Sequence, residues 1–171
     1  SLYFDGNVNI RLWLDQETTP EKKIKLLELL TDIEDPVRKM DLLITAKNFV
    51  CPSLFMAEEL KRNGGKTWVY QFNRVRDDEL AQKYGAFHGA ELPYVFDTHD
   101  QWLPTNKADK VLTEEIQSYW LSFAKTGDPN NDGAVVWPEY ESSNDSTLVL
   151  DNEIYQRSHE SSEICKIMDL F

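Results

Sequence analysis

The chain has little that would tie it to nucleic acid, to a disulfide framework or to a nucleotide. Of its 171 residues, 18 are Lys or Arg and 30 are Asp or Glu, a formal charge of −12. Phosphate contacts need clustered cations, so this balance argues against a nucleic-acid partner and against an anionic membrane surface. No apolar run approaches the roughly 20 residues that cross a bilayer. Cys51 and Cys165 are too few for a framework; one bridge is open to them, but two buried thiols are the expected state, and the low count favours the cytoplasm. The opening SLYFDGNVNI has no basic region followed by an apolar stretch, so it does not read as a secretory leader. It starts on Ser, which points either to processing or to an internal piece of something longer. No repeat, G-x-G-x-x-G, P-loop or G-x-S-x-G occurs.

What is present suffices for a core: 41% hydrophobic residues, with 8 Phe, 7 Tyr and 5 Trp. Thr19-Pro20-Glu21 and Asp35-Pro36 each place a capping oxygen before a proline at the first helical position. Ile24, Leu27 and Leu30 follow the first at helical spacing; Val37, Met40, Leu43 and Ile44 follow the second. Pro52 is expected to end or kink this second helix. Ser53 to Lys61 reads as another helix, stopped by Asn63-Gly64-Gly65. Lys66 to Phe72 is aromatic and β-branched and reads as a strand, as does Thr147 to Leu150. Asp109 to Lys125 is the strongest helix, with Leu112, Ile116, Tyr119, Trp120 and Phe123 on one side and Gly127 at its end. The tail from Ser158 is expected to be helical. The alternation fits an α/β arrangement, but two strands cannot cover the apolar faces of four helices, so strands from elsewhere are expected to complete the sheet.

Three histidines could do chemistry. His88-Gly89 lies in a loop after a strand, where sheet enzymes place catalytic groups. By position alone, a structural histidine bonding a loop carbonyl is the commoner outcome. His99, in Asp97-Thr98-His99-Asp100, has no supporting ligand spacing and reads as a solvated turn. His159 reads as exposed and inert. The run Asp128 to Glu139 satisfies a calcium-loop pattern, with Asp128, Asn130 and Asp132 as oxygen donors and Gly133 at the turn. Pro138 and the lack of an exiting helical period argue for an ordinary turn after a helix. The acids Asp77-Asp78-Glu79 and Glu58-Glu59 read as solvated faces.

Several segments, taken in order, resemble the C-terminal part of the type-B carboxylesterases, the family of the para-nitrobenzyl esterases and cholinesterases. They are Asp41-Leu42-Leu43 to Phe49 with Cys51-Pro52, then Val69-Tyr70-Gln71-Phe72, then His88-Gly89-Ala90-Glu91-Leu92-Pro93-Tyr94-Val95-Phe96. Ile116-Gln117-Ser118-Tyr119-Trp120, Gly127-Asp128-Pro129-Asn130 and Trp137-Pro138-Glu139-Tyr140 complete the series. Each motif alone is weak, and their ordered combination is specific.

The resemblance implies an α/β-hydrolase fold of which this chain is the C-terminal portion, with 1–65 mainly helical and 66–171 carrying the last strands, the histidine loop and the closing helices. It implies that His88 is the base of a Ser–Glu–His triad, with the serine elbow and oxyanion loop upstream and the acid at or just before Ser1. Tyr3 and Phe4, and less directly Phe49, are then substrate-pocket residues, with Gly89 and Glu91 supporting the histidine. The partners implied are a small-molecule ester and the upstream part of the same protein, with no cofactor, no nucleic acid and no membrane. The chain alone is expected to be inactive and, through uncovered apolar surface, to self-associate or be poorly stable. Two other readings remain: a non-catalytic binding or adhesion relative on the same fold, and a calcium-binding helical module.

Overall fold

A computed structural model describes residues 9–99, 104–158 and 161–170. The chain forms two compact units, one from Ser1–Gly65 with Ser158–Phe171 and the other from Lys66–Arg157.

The first unit is helical: α1 (Ile10–Glu17), α2 (Pro20–Leu29), α3 (Pro36–Thr45), a π turn (Ala46–Val50), α4 (Cys51–Arg62) and, from the tail, α8 (Ser162–Met168). The starts follow local chemistry. Thr19 accepts from the N–H of Lys22 and Asp35 from that of Val37, each with a proline opening the helix behind it. In α2, Leu26 and Leu30 are buried and Ile24 is exposed, so its core face is rotated from the one the spacing suggests.

Pro52 does not end the second helix; the irregularity the sequence reading expected of it takes the form of a π turn. Pro36–Arg62 runs as one 27-residue helix, and the π turn lies just before the proline. Proline has no N–H to give and its ring clashes with the carbonyl four residues back; the wider turn accommodates both faults. The extra residue also shifts the register. Met40, Leu43 and Ala46 are buried before the turn, and Cys51, Leu54 and Ala57 after it. An uninterrupted α-helix would bring Phe49 or Val50 inward after Ala46; here Cys51 takes that place and Phe49 stays half exposed.

By length and composition, this is the one helix among the described residues that could cross a membrane, where the sequence reading found no such span. Its stripe of buried residues, with Arg38, Lys39, Asp41, Lys47 and Glu58 elsewhere along it, is the pattern of a core helix.

Cys51 is joined to Cys165 of α8 by a disulfide across 114 residues of sequence. The expectation of two free thiols is corrected, and with it one ground for a cytoplasmic home. Spacing gave no hint of the pairing, because the π turn sets Cys51 facing inward and α8 brings Cys165 to it. Lys22 adds an ion pair to Asp169 at 2.6 Å, and Lys47 pairs with Glu17.

The second unit is a small sheet with helices. β1 (Tyr70–Phe72), β2 (Ser146–Leu150) and β3 (Tyr155–Ser158) lie in the order β1-β2-β3. β1 and β2 are parallel, Tyr70 facing Leu148 and Phe72 facing Leu150. Parallel neighbours need a long crossover, and it carries α5 (Glu79–Tyr84), α6 (Leu92–Phe96) and α7 (Lys107–Thr126). All five residues of β2 are buried, as befits a central strand. The core is Tyr94, Leu112, Ile116, Tyr119, Trp137, Leu148 and Leu150. β1 is shorter than the sequence suggests. Thr67 and Val69 instead spend their carbonyls on Tyr140 N at 2.8 Å and on Trp137 Nε1 at 3.0 Å, and that of Val69 also takes Leu148 N at 3.0 Å.

A buried polar cluster sits where β1, α6 and α7 converge. Asp109, 1% exposed, accepts from Arg74 Nε and from the Tyr94 hydroxyl, both at 2.7 Å on Oδ1. Its Oδ2 takes Asn106 N at 2.8 Å, and Asn106 Oδ1 takes Asp109 N at 3.0 Å, closing a capping box at the start of α7. Burial pushes this carboxyl up, but the bonds from Arg74, Asn106 and Tyr94 outweigh it and hold Asp109 below the usual carboxylate range. Arg76 lies over the Tyr94 ring at 5.1 Å.

His99 belongs to the same cluster, which corrects its reading as a solvated turn. Its ring stands edge-on to Tyr94 at 5.1 Å. Thr113 gives its hydroxyl proton to Asp109 O, so His99 Nε2–H donates to Thr113 Oγ1 at 2.7 Å. Nδ1 lies 3.3 Å from the Thr105 hydroxyl and can accept its proton in the neutral ring. Burial lowers its pKa first, then Lys110 and Arg76, against Asp97 and Asp109.

Two predictions follow from these cores. Reducing the disulfide, or Cys165→Ser, costs up to about 5 kcal/mol for a loop this long, read as a lower urea midpoint with reductant than without; an unchanged midpoint refutes it. Because the folded pKa of His99 is lowered from 6.5, its contribution is complete above that pH and is lost as pH falls through the folded value. His99→Gln therefore flattens the fall in stability between about pH 7 and 5. An equal slope in both proteins sinks the assignment.

Candidate active site

His88 lies between α5 and α6, in a turn with little slack. Gly85 ends α5 with its N–H on Ala81 O at 2.7 Å. Ala90 N then bonds Phe87 O at 2.9 Å, and Leu92 N bonds Gly89 O at 3.2 Å. Tyr94 N and Val95 N both take Glu91 O, at 2.9 and 3.0 Å, which starts α6. Gly89 has φ +89°, a left-handed backbone that strains any residue with a Cβ. The turn leaves the imidazole of His88 exposed, with Phe87 and Leu92 exposed on either side and Ala90 buried beneath.

His88, Gly89 and Glu91 are thus brought into one turn. Glu91 is half-buried at the head of α6. Its charge faces Tyr70 of β1, adding to the burial that raises that phenol's pKa. Phe49 belongs to the other unit, where the π turn holds it 48% exposed rather than in the core. Tyr3, Phe4 and His159 lie outside the described residues.

The Asp128 to Glu139 run is built as a turn. Asp128 Oδ1 accepts from Asn130 N at 2.9 Å and Asn130 Nδ2 at 2.8 Å, and these bonds lower its pKa. The Asn130 amide is committed to Trp137, taking its N–H at 2.7 Å and donating to its carbonyl at 3.0 Å. Residues that would be cation donors instead seat Trp137 in the core. The acidic faces are also less uniform than expected: Asp78 caps α5 through Ala81 N at 3.0 Å, and Asp77 accepts from Arg74 and Asn106.

The sequence reading passed over Arg74, Tyr94 and Asp109 as possible site residues. One signal was available, the Asn106-x-x-Asp109 spacing of a capping box. Nothing local announces that Arg74 and Tyr94 meet the same carboxylate.

A family model described as the carboxylesterase family matches residues 14–167. The chain is 40% identical over 101 residues to the para-nitrobenzyl esterase of Bacillus subtilis (strain 168), covering 56% of this chain and 20% of that protein. It is 32% identical over 120 residues to the acetylcholinesterase of Gallus gallus, covering 64% of this chain and 15% of that protein. A solved PNB esterase superposes with a TM-score of 0.75 at 28% identity, over 98% of this chain and 35% of the other. The chain therefore spans about a fifth or less of these two curated relatives and about a third of that solved structure. Its small three-stranded sheet with flanking helices is part of an α/β-hydrolase fold. With the match running over nearly all of its length, the chain belongs to the carboxylesterase family.

Proposed function

We propose that the polypeptide carrying this segment hydrolyses carboxylic esters through an acyl-serine intermediate, with His88 as the triad base. The observation that carries this reading is the placement of His88: an exposed imidazole on a hydrogen-bonded turn between β1 and α7, in a chain of the carboxylesterase family. A histidine in such a place can take the proton of a serine hydroxyl as it attacks the ester carbonyl. It then returns that proton to the departing alcohol, and repeats the exchange with water to release the acid. Gly89 lets the chain turn sharply after the base, and Glu91 puts a negative charge nearby. Phe49, Tyr3 and Phe4 are assigned to the substrate pocket.

The serine, its oxyanion donors and the triad acid are supplied by upstream chain, since no G-x-S-x-G is present here. The substrate is a small-molecule ester. The charge of −12 sets this surface against nucleic acid and anionic lipid. Exposed Phe55, Met56, Leu60, Phe87 and Phe96 support a role for this segment as part of a larger body.

Hydrolysis of a short-chain p-nitrophenyl ester tests the reading in the longest natural polypeptide containing the segment. His88→Ala is expected to lower kcat by at least about 10³-fold while the protein stays folded. A variant as active as the parent overturns the assignment. The isolated 171-residue chain is expected to hydrolyse the ester no faster than buffer; turnover that tracks its concentration would refute the division of the triad.

A further inference from the structure

We propose that Asp109, joined to Tyr94 and Arg74, is the positioning residue for His88, holding the turn that carries it without touching substrate. The inference rests on His88 being the triad base and goes beyond it by naming what keeps that base in place.

α6 follows the His88 turn directly and has only five residues. A helix so short does not hold itself together. It has no side-chain cap at its N-terminus. What fixes it is Tyr94, 1% exposed, six residues beyond His88. The phenol reaches Asp109 Oδ1 at 2.7 Å, and the ring is packed by Phe72 at 5.0 Å, His99 at 5.1 Å and the Arg76 guanidinium at 5.1 Å.

Asp109 does not move with α6. Its Oδ2 is part of the capping box of α7, and its Oδ1 also takes Arg74 Nε at 2.7 Å. Arg74 stands two residues past the end of β1, and Asn73 N is bonded to Leu150 O of β2 at 2.8 Å. One carboxylate thus ties α6 to the end of the sheet and to the longest helix of the unit. The backbone from Phe87 to Val95 is a relay of consecutive hydrogen bonds, so a shift at Tyr94 passes to His88 rather than being absorbed. A misplacement of about 1 Å in a reacting group can cost about 10²-fold in rate. A smaller displacement, from loss of one hydrogen bond in the linkage, is therefore expected to show in kcat as well as in stability.

The test compares Tyr94→Phe, Asp109→Asn, His88→Ala and Tyr119→Phe in the longest natural polypeptide with this segment. Tyr119 is the control, since it lies in the same core and its phenol donates to Val135 O at 2.6 Å, a carbonyl outside α6. Tyr94→Phe is expected to lower kcat about five- to tenfold with KM unchanged, while Tyr119→Phe keeps the parent kcat at a similar loss of Tm. A readout free of turnover is the NMR chemical shift of the His88 ring protons, which moves in Tyr94→Phe and stays in Tyr119→Phe. If Asp109→Asn does not fold, the tyrosine pair still decides. Equal kcat losses in the two tyrosine variants, with His88→Ala inactive, overturn the positioning role and leave the triad reading standing. If His88→Ala is fully active, both fall together.

Discussion

The second unit is organised around the burial of one charge. Asp109 is almost wholly removed from water, which for an ionised carboxylate costs several kcal/mol unless the site supplies replacements. Three donors do so: Arg74, Tyr94 and the Asn106 backbone. Each comes from a different stretch of chain, so the carboxylate is satisfied only when the end of β1, α6 and the start of α7 have all arrived. A hydrophobic residue there could add stability, yet it would not demand that three elements meet at one point. Directional bonds define a geometry where packing alone tolerates several.

The first unit meets a different constraint by different means. Its long helix must pass Pro52 and still keep one stripe inward. The π turn absorbs the missing donor and adds the one residue that carries Cys51 to Cys165. A one-residue deletion in Ala46–Val50 would rotate everything from Cys51 to Arg62 by about 100°. The proline, the wide turn and the disulfide form one device.

How much of this was legible depended on how local the cause was. Thr19-Pro20, Asp35-Pro36, Asn63-Gly64-Gly65 and Gly127 announce helix ends because the capping atoms lie within a few residues. The carboxylesterase resemblance was also visible, since ordered motifs survive without knowledge of contacts. The failures share the opposite property. His99 looked solvated because Tyr94, Thr105 and Thr113 come to it from outside its tetrapeptide. The cysteines looked free because their partnership spans 114 residues. β3 escaped notice because YQRS has no apolar alternation; Arg157 instead bonds Gln71 of β1 at 2.8 Å. For the site, His88 and its glycine could be proposed from the sequence, whereas the carboxylate that Tyr94 and Arg74 share could not, because those two residues reach it from separate stretches of chain.

A catalytic histidine faces two demands that pull apart. It must be open enough to meet a serine and a substrate, and fixed well enough to meet them at hydrogen-bond distance. Burial would fix it and close it. Here the exposed imidazole is carried on a turn whose far end is among the most buried points of the unit, Tyr94 against Asp109. In the arrangement proposed, rigidity arises where water is excluded and passes through the overlapping turns Phe87–Ala90, Gly89–Leu92 and Glu91–Tyr94 to where water is admitted. The polar groups that matter most to the base would, on this view, be ones that never approach the substrate.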